Sequence, residues 1–218
     1  MDGVLADFAS AYHDVELRLF GAQEPTRPDE PERQEDEEAR GVGESPHASR
    51  RRRDAIWRDI ENTRDFWTTL KPIDAAAVRR LHEMALRHRW EVFFLTRRPA
   101  TAGDSVQRQT QRWLVDQGFD LPSVVVFSGM RGAAVGALGL NYHVDDSPEN
   151  CIDVLGASSA KPILIVPSED AVTIASARKL GIGVVSNIGA CLEILEQATI
   201  AQPRPDLLGR LAALVEWK

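Results

Sequence analysis

The chain has only two cysteines in 218 residues, Cys151 and Cys191, and they stand far apart. No histidine pattern accompanies them, which excludes a disulfide scaffold and a structural zinc site; both read as buried free thiols. His82 and His88 are six positions apart and make no convincing metal pair. An excess of base is also missing: 26 Lys and Arg against 33 Asp and Glu give a formal charge of -7. Composition therefore offers no general argument for binding a nucleic-acid polymer. No charged segment leads into a long apolar one at the start, and no run approaches the roughly 18 apolar residues of a membrane helix. The expectation is a cytoplasmic protein that does not enter a membrane.

The length suits one α/β domain with an inserted piece. A composition break marks the insertion. Residues 23–49, "QEPTRPDEPERQEDEEARGVGESPHAS", are rich in Pro, Glu, Asp and Gly and have almost nothing to bury, so they read as a disordered insertion. The run Arg50 to Arg53 that follows reads as a solvated helix start opposing nearby acid.

Periodicity then separates the two halves. Phe8, Tyr12, Val15 and Leu19 fall at helical spacing, as do Ile56, Ile60 and Trp67, and then Val78, Leu81, Met84 and Ala85. Pro72 breaks the second segment from the third, which is predicted to begin near Asp74. From Trp90 onward short apolar runs alternate with helical segments. "WEVFFLT", "SVVVF", "NYHVDD", "KPILIVP" and "IGVVS" read as strands. "TAGDSVQRQTQRWLVDQG" reads as a helix with Val106, Thr110, Trp113 and Leu114 inward; "GAAVGALG", Asn150 to Ala157 and "GACLEILEQATI" read as helices. "DAVTIASARKLG" reads as a loop leading into a helical turn. This alternation predicts a Rossmann-like, mostly parallel sheet with helices on both faces. The C-terminal "PDLLGRLAALVEWK" is amphipathic and packs on the body by default, with a homodimer contact as the alternative.

Three places carry chemistry, two of them beyond an apolar run, where open α/β sheets place ligands. Asp2 is followed by Gly3, which permits a tight turn around a small polar group. Thr96 ends "VFFLT" with a hydroxyl able to donate to a phosphate oxygen. Asp145 and Asp146 are adjacent carboxylates that repel unless a cation, a basic group or backbone donors compensate them. Taken singly, Asp2 reads equally as a frayed residue, Thr96 as a turn cap, and Asp145-Asp146 as a helix start.

In this order, "DGVLADF", "FFLTRRP" and "YHVDDSPENC" resemble the blocks of the haloacid dehalogenase-like hydrolases, in particular their deoxyribonucleotidase-like branch. The resemblance implies a phosphatase core over residues 1–9 and 88–218, with a helical cap over 10–87 that contains the 23–49 insertion. It implies hydrolysis of a small phosphomonoester, such as a nucleoside monophosphate, with Mg2+ and a transient aspartyl-phosphate. Asp2 corresponds to the acid–base aspartate, whose backbone carbonyl also reaches the metal. Thr96 corresponds to the phosphate-holding hydroxyl, Asp145 to the acidic metal ligand and Asp146 to a supporting carboxylate. Phe8 corresponds to an aromatic beside the substrate. Arg131 stands where the family has a lysine; it keeps the charge but replaces a compact ammonium with a planar fork.

The family's attacking aspartate would lie two positions before Asp2, and the central strand leading to it is likewise expected to be missing from the sheet. Three accounts are open: Met1 as an internal residue of an Asp-Met-Asp-Gly block, a shortened non-catalytic relative, or Asp7 as a displaced nucleophile. The third is disfavoured, because errors near ~1 Å already impair in-line attack. The chain is expected to be weak or inactive in hydrolysis. The alternative function is a non-catalytic module that binds a phosphorylated metabolite or another protein.

Overall fold

The computed structural model describes residues 1–21, 46–167 and 169–201. The segment 22–45, which holds most of the charged insertion, and the amphipathic segment 202–218 lie outside the described residues.

The opening residues make a turn rather than a strand. Leu5 and Ala6 donate to the Met1 carbonyl at 2.9 and 3.2 Å, and Gly3 donates to the Ala6 carbonyl at 3.0 Å. The turn is stitched to a later segment by Asp7 N–H to the Lys71 carbonyl (2.9 Å) and Ile73 N–H to the Leu5 carbonyl (2.8 Å). Helix α1, Phe8–Phe20, follows and is N-capped by the Asp7 carboxylate. Helix α2, Pro46–Asn62, packs on it through a buried pair of Glu16 and Arg52, Oε1 to Nε 2.9 Å. The predicted stripe holds for Tyr12, Val15, Ile56, Ile60 and Trp67, all buried. Leu19 departs from it, 38% exposed in the last turn of α1. The helical pattern after Ile60 also ends earlier than its spacing predicts: α2 stops at Asn62, and Asp65 takes a left-handed φ of 53° before a single 3-10 turn, Phe66–Thr68. Helix α3, Ala77–His88, starts after Asp74 accepts from Ala76 N–H at 2.8 Å.

The remainder alternates as the sequence predicts, with one difference: Ala171–Lys179, in the segment read as a loop leading into a helical turn, is a helix of 9 residues. The order runs β1 (Phe93–Thr96), α4 (Val106–Asp116), β2 (Ser123–Val126), α5 (Arg131–Ala137), β3 (Tyr142–Asp145), α6 (Pro148–Ala157), β4 (Lys161–Ile165), α7 (Ala171–Lys179), β5 (Gly183–Val185) and α8 (Ile188–Ala201). Every strand pairing is parallel. The pairs form two separate sheets, β1-β2 and β3-β4-β5, and no strand joins them among the described residues. The Thr96 carbonyl accepts from Phe127 N–H on the β2 side (3.2 Å), so the Leu95 carbonyl, one residue earlier, points the other way. A side chain meets it there: Arg131 Nη1 lies 3.4 Å from the Leu95 oxygen. A buried carbonyl at an open strand edge is costly unless paired, and a guanidinium supplies the donor.

Trp67, Trp113, Leu114, Val78 and Cys191 close the main core, while Cys151 packs with Leu164, Val166 and Ile182 in a second cluster. Burial pushes both thiols up to about 12. The loop after β1 is fastened to the helical segment around the 3-10 turn. Ala102 N–H donates to the Glu61 carbonyl and Asp65 N–H to the Ala102 carbonyl, each at 2.7 Å; Trp67 N–H donates to buried Gln109 Oε1 at 3.1 Å. No helix among the described residues is long and apolar enough to cross a membrane.

Candidate functional site

Thr96 ends β1 as a buried residue, 2% exposed. Its hydroxyl oxygen accepts from Arg98 N–H at 3.3 Å, which leaves the hydroxyl hydrogen free to donate elsewhere. The Arg98 side chain turns to Asp2: Nε lies 2.9 Å from Oδ2 and Nη2 2.5 Å from Oδ1. The guanidinium is anchored on its far side by the Thr110 hydroxyl (Nη1 to Oγ1 3.0 Å), and it lies 4.8 Å from the centre of the Trp67 ring. A planar fork on a carboxylate fixes orientation in a way that a lysine would not.

Gly3, next to Asp2 in the chain, lies against the side chain of Asp146. Its φ is +69°, and a Cβ there would run into the Asp146 carboxylate, so both the backbone conformation and the close approach require glycine. Asp145, next in line, is 2% exposed. Its Oδ1 accepts from Ser147 N–H and Asn150 Nδ2, both at 3.0 Å; its Oδ2 accepts from His143 Nε2 at 3.0 Å and lies 3.2 Å from Arg131 Nε. An ionised carboxylate only accepts, so His143 carries its proton on Nε2 in this arrangement. Arg131 is 9% exposed and completes a circuit by reaching the Leu95 carbonyl beside Thr96.

The candidates thus form a ring: Thr96, Arg98, Asp2, Gly3, Asp146, Asp145, Arg131 and back to Leu95. Burial opposes ionisation of Asp145, but the His143 hydrogen bond, the Arg131 charge, the α-amino group of Met1 and Asn150 together hold it well below the usual carboxylate range. Asp146 goes the other way. Burial of its inner face and the adjacent Asp145 charge push it up to about 6, although its outer face is exposed to solvent. Burial lowers the Met1 α-amino group against the pull of Asp2 and Asp145.

Phe8 is not in the ring. Its ring stacks on Trp57 with centroids 5.6 Å apart and meets Trp67 at the same distance, so it joins the aromatic cluster under Arg98. Phe66 and Trp67 are buried. His88 stacks on Trp90 and contacts Glu196, and His82 lies edge-on to Phe119. An open cleft of about 220 Å3 lies between α1 and the 63–71 segment, lined by Asp7, Asp14, Arg18, Thr63 and Lys71 among others, and it touches no member of the ring.

Arg98 and Gln109 were not visible as site residues in the sequence. The only signal for Arg98 was its place two residues beyond Thr96 in "TRRP", where side chains return to the same side of an extended chain.

The metal that the resemblance implies can be tested against these donors. A hard divalent cation needs carboxylate or carbonyl oxygens with lone pairs to give. Both Asp145 oxygens already face donors, and both Asp2 oxygens are held by Arg98. Among the described residues no group of three or more His, Cys, Asp or Glu side chains is placed to hold a metal ion. In this arrangement the side-chain oxygens of Asp2 and Asp145 face protein donors, and of the three expected metal residues Asp146 is the exposed one.

No family model, no curated protein and no solved structure matches the chain.

Proposed function

We propose that this protein binds a small phosphomonoester, with nucleoside monophosphates as the leading class, and that it is a phosphatase-type relative of the haloacid dehalogenase-like hydrolases. The observation that carries the reading is the ring itself, which gathers Asp2, Thr96, Arg131, Asp145 and Asp146 from the opening turn, the ends of β1 and β3 and the start of α5. In this reading Thr96 donates its hydroxyl to a phosphoryl oxygen. Arg131 supplies charge and spare donors: its Nε has no well-aligned hydrogen-bond acceptor among the described residues although it lies beside Asp145. Buried positive charge of this kind stabilises a phosphate more strongly than the same charge in water. Asp2 is oriented by Arg98 as the proton carrier for the leaving oxygen, and the aromatic group of Phe8 and Trp57 offers the wall nearest a base or sugar. The core and cap division at residues 9–10 and 87–88 belongs to the same proposal.

Hydrolysis through a covalent intermediate also needs an attacking carboxylate. Asp2, with both oxygens held by Arg98, is poorly placed to attack, so the reading gives it no nucleophilic role and expects turnover to be weak or absent. The second reading, a non-catalytic phosphometabolite-binding module, is favoured by that same occupancy of Asp2.

Thermal unfolding with orthophosphate and a panel of nucleoside monophosphates, run beside a phosphate-release assay with and without Mg2+, tests both readings. Binding is expected to raise the melting temperature, by about 3 kcal/mol of added stability at a hundredfold excess over Kd, and Thr96→Val is expected to reduce the gain. Stabilisation without release supports the binding module. No stabilisation by any of these ligands would remove the phosphomonoester reading. Robust release that depends on Asp7 but not on Asp2 would overturn the assignment of Asp2.

A further inference from the structure

Asp145 raises a question of charge rather than of phosphate. A carboxylate offers about four lone-pair sites, and four protein groups face those of Asp145: Ser147 N–H, Asn150 Nδ2, His143 Nε2 and Arg131 Nε. Three are hydrogen bonds. The fourth is a charge contact at 3.2 Å in which Nε is not aligned for a hydrogen bond. Arg131 is thus held beside Oδ2 by charge on one side and by the Leu95 carbonyl on the other, and it is 9% exposed. A divalent cation at Asp145 would approach an oxygen to about 2.0–2.1 Å, within reach of a fixed guanidinium of the same sign. A second carboxylate of the ring is compensated in the same way, since Arg98 forks Asp2 from a position only 1% exposed. Two of the ring's three carboxylates are each matched by a buried arginine, and the third, Asp146, is exposed to solvent, so the buried part of the ring carries little net negative charge to attract a metal.

We propose that Arg131 is the resident cation of Asp145: it takes the position a divalent metal would occupy, and cations bind at Asp145 only when its charge is removed. The inference deepens the phosphomonoester reading, on which it rests for the ligand that Arg131 would face, but its test uses no phosphate.

Mn2+ is titrated calorimetrically into the wild-type protein, Arg131→Met and the double variant Arg131→Met with Asp145→Asn, in phosphate-free buffer. Wild type is expected to show no saturable heat into the millimolar range. Arg131→Met is expected to show saturable binding, tighter than wild type by on the order of tenfold or more, and the double variant to lose it. Saturable Mn2+ binding by wild type that Asp145→Asn abolishes would overturn the proposal. So would a folded Arg131→Met protein, verified by circular dichroism, that remains silent to Mn2+. If Arg131→Met does not fold, Arg131→Gln removes the charge while keeping a donor for Leu95, and the wild-type titration stands on its own. Orthophosphate stabilisation in the presence of a chelator reports separately on the phosphomonoester reading, so the two can fail independently.

Discussion

Asp145 and Asp2 stand on opposite flanks of the same ring, yet they are held by different means. Three of the four groups around Asp145 come from its own neighbourhood, His143, Ser147 and Asn150, none more than five residues away. Asp2 depends on Arg98, 96 residues away in sequence, and Arg98 depends in turn on Thr110 of α4 and on the ring of Trp67. The first carboxylate is oriented by the end of a strand and the start of a helix. The second is oriented by the docking of the segment around the 3-10 turn against the loop after β1. The contrast teaches that the two halves of one site have different sensitivities: local geometry protects Asp145, whereas Asp2 inherits the stability of a long-range contact.

Breaking the long-range side should therefore do the most damage. Arg98→Ala leaves Asp2 without its partner and opens space beside Trp67, and it is expected to cost about 2–3 kcal/mol, less than the penalty for breaking a wholly buried pair because Asp2 is 28% exposed. Urea unfolding measures it; a loss well under 1 kcal/mol would mean that Asp2 finds other partners and that the pair does not organise the site. On the local side, Ser147→Ala removes the side-chain oxygen that caps α6 by accepting from Asn150 N–H at 3.2 Å, yet keeps the backbone donor to Asp145. It is expected to cost about 1 kcal/mol. A much larger loss in the same measurement would show that the cap and the Asp145 contacts are one cooperative unit.

The smallest effect separates Asp145 from its neighbour Asp146 by pH. Asp145 has a depressed folded pKa, so it contributes stability above the unfolded value near 3.8 and loses it as pH falls toward the folded one. Asp146 has a raised folded pKa, about 6, so the folded state holds a proton that the unfolded state has released, and stability falls as pH rises from about 4 through about 6. Asp146→Asn is expected to gain on wild type across that window, by a few tenths of a kcal/mol because solvent screens the exposed carboxylate. Parallel unfolding curves at pH 4 and pH 7 decide it; a gain that appears only at the lower pH would reverse the sign.

The locally held side of the site was also the legible one. "NYHVDDSPEN" contains a short apolar strand, a carboxylate, and a Ser-Pro helix start, and β3, Asp145 and the cap of α6 follow from those few residues. Thr96 was legible for the same reason, as the polar end of an apolar run. Arg98 was not, because nothing in a linear pattern says that a charged residue beyond a strand will be buried against a turn 96 residues away. Helix α7 was missed by another route: Val172 is 78% exposed and Ala177 is its only buried residue, so its apolar residues do not mark a helical face. The early stop of α2 depends on Asp65, whose left-handed backbone is held by Ala102 and whose carboxylate accepts from Asp104 N–H, contacts that exist only after the loop beyond β1 has docked. The division of the sheet matches the gap that the sequence suggests: the opening residues form a turn rather than a central strand, and Arg131 reaches the edge of β1 at Leu95.

The two sequestered thiols give the molecule a pair of silent clocks. A thiol pushed up to about 12 presents almost no thiolate at neutral pH, so alkylation must wait for the surrounding packing to open. Cys191 belongs to the main core that also holds Trp67, the partner of Arg98, whereas Cys151 lies in the second cluster with Leu164 of β4, near enough to feel the charge of Asp145. The two labelling rates would time the opening of the long-range half and of the local half separately, within a single unmodified chain.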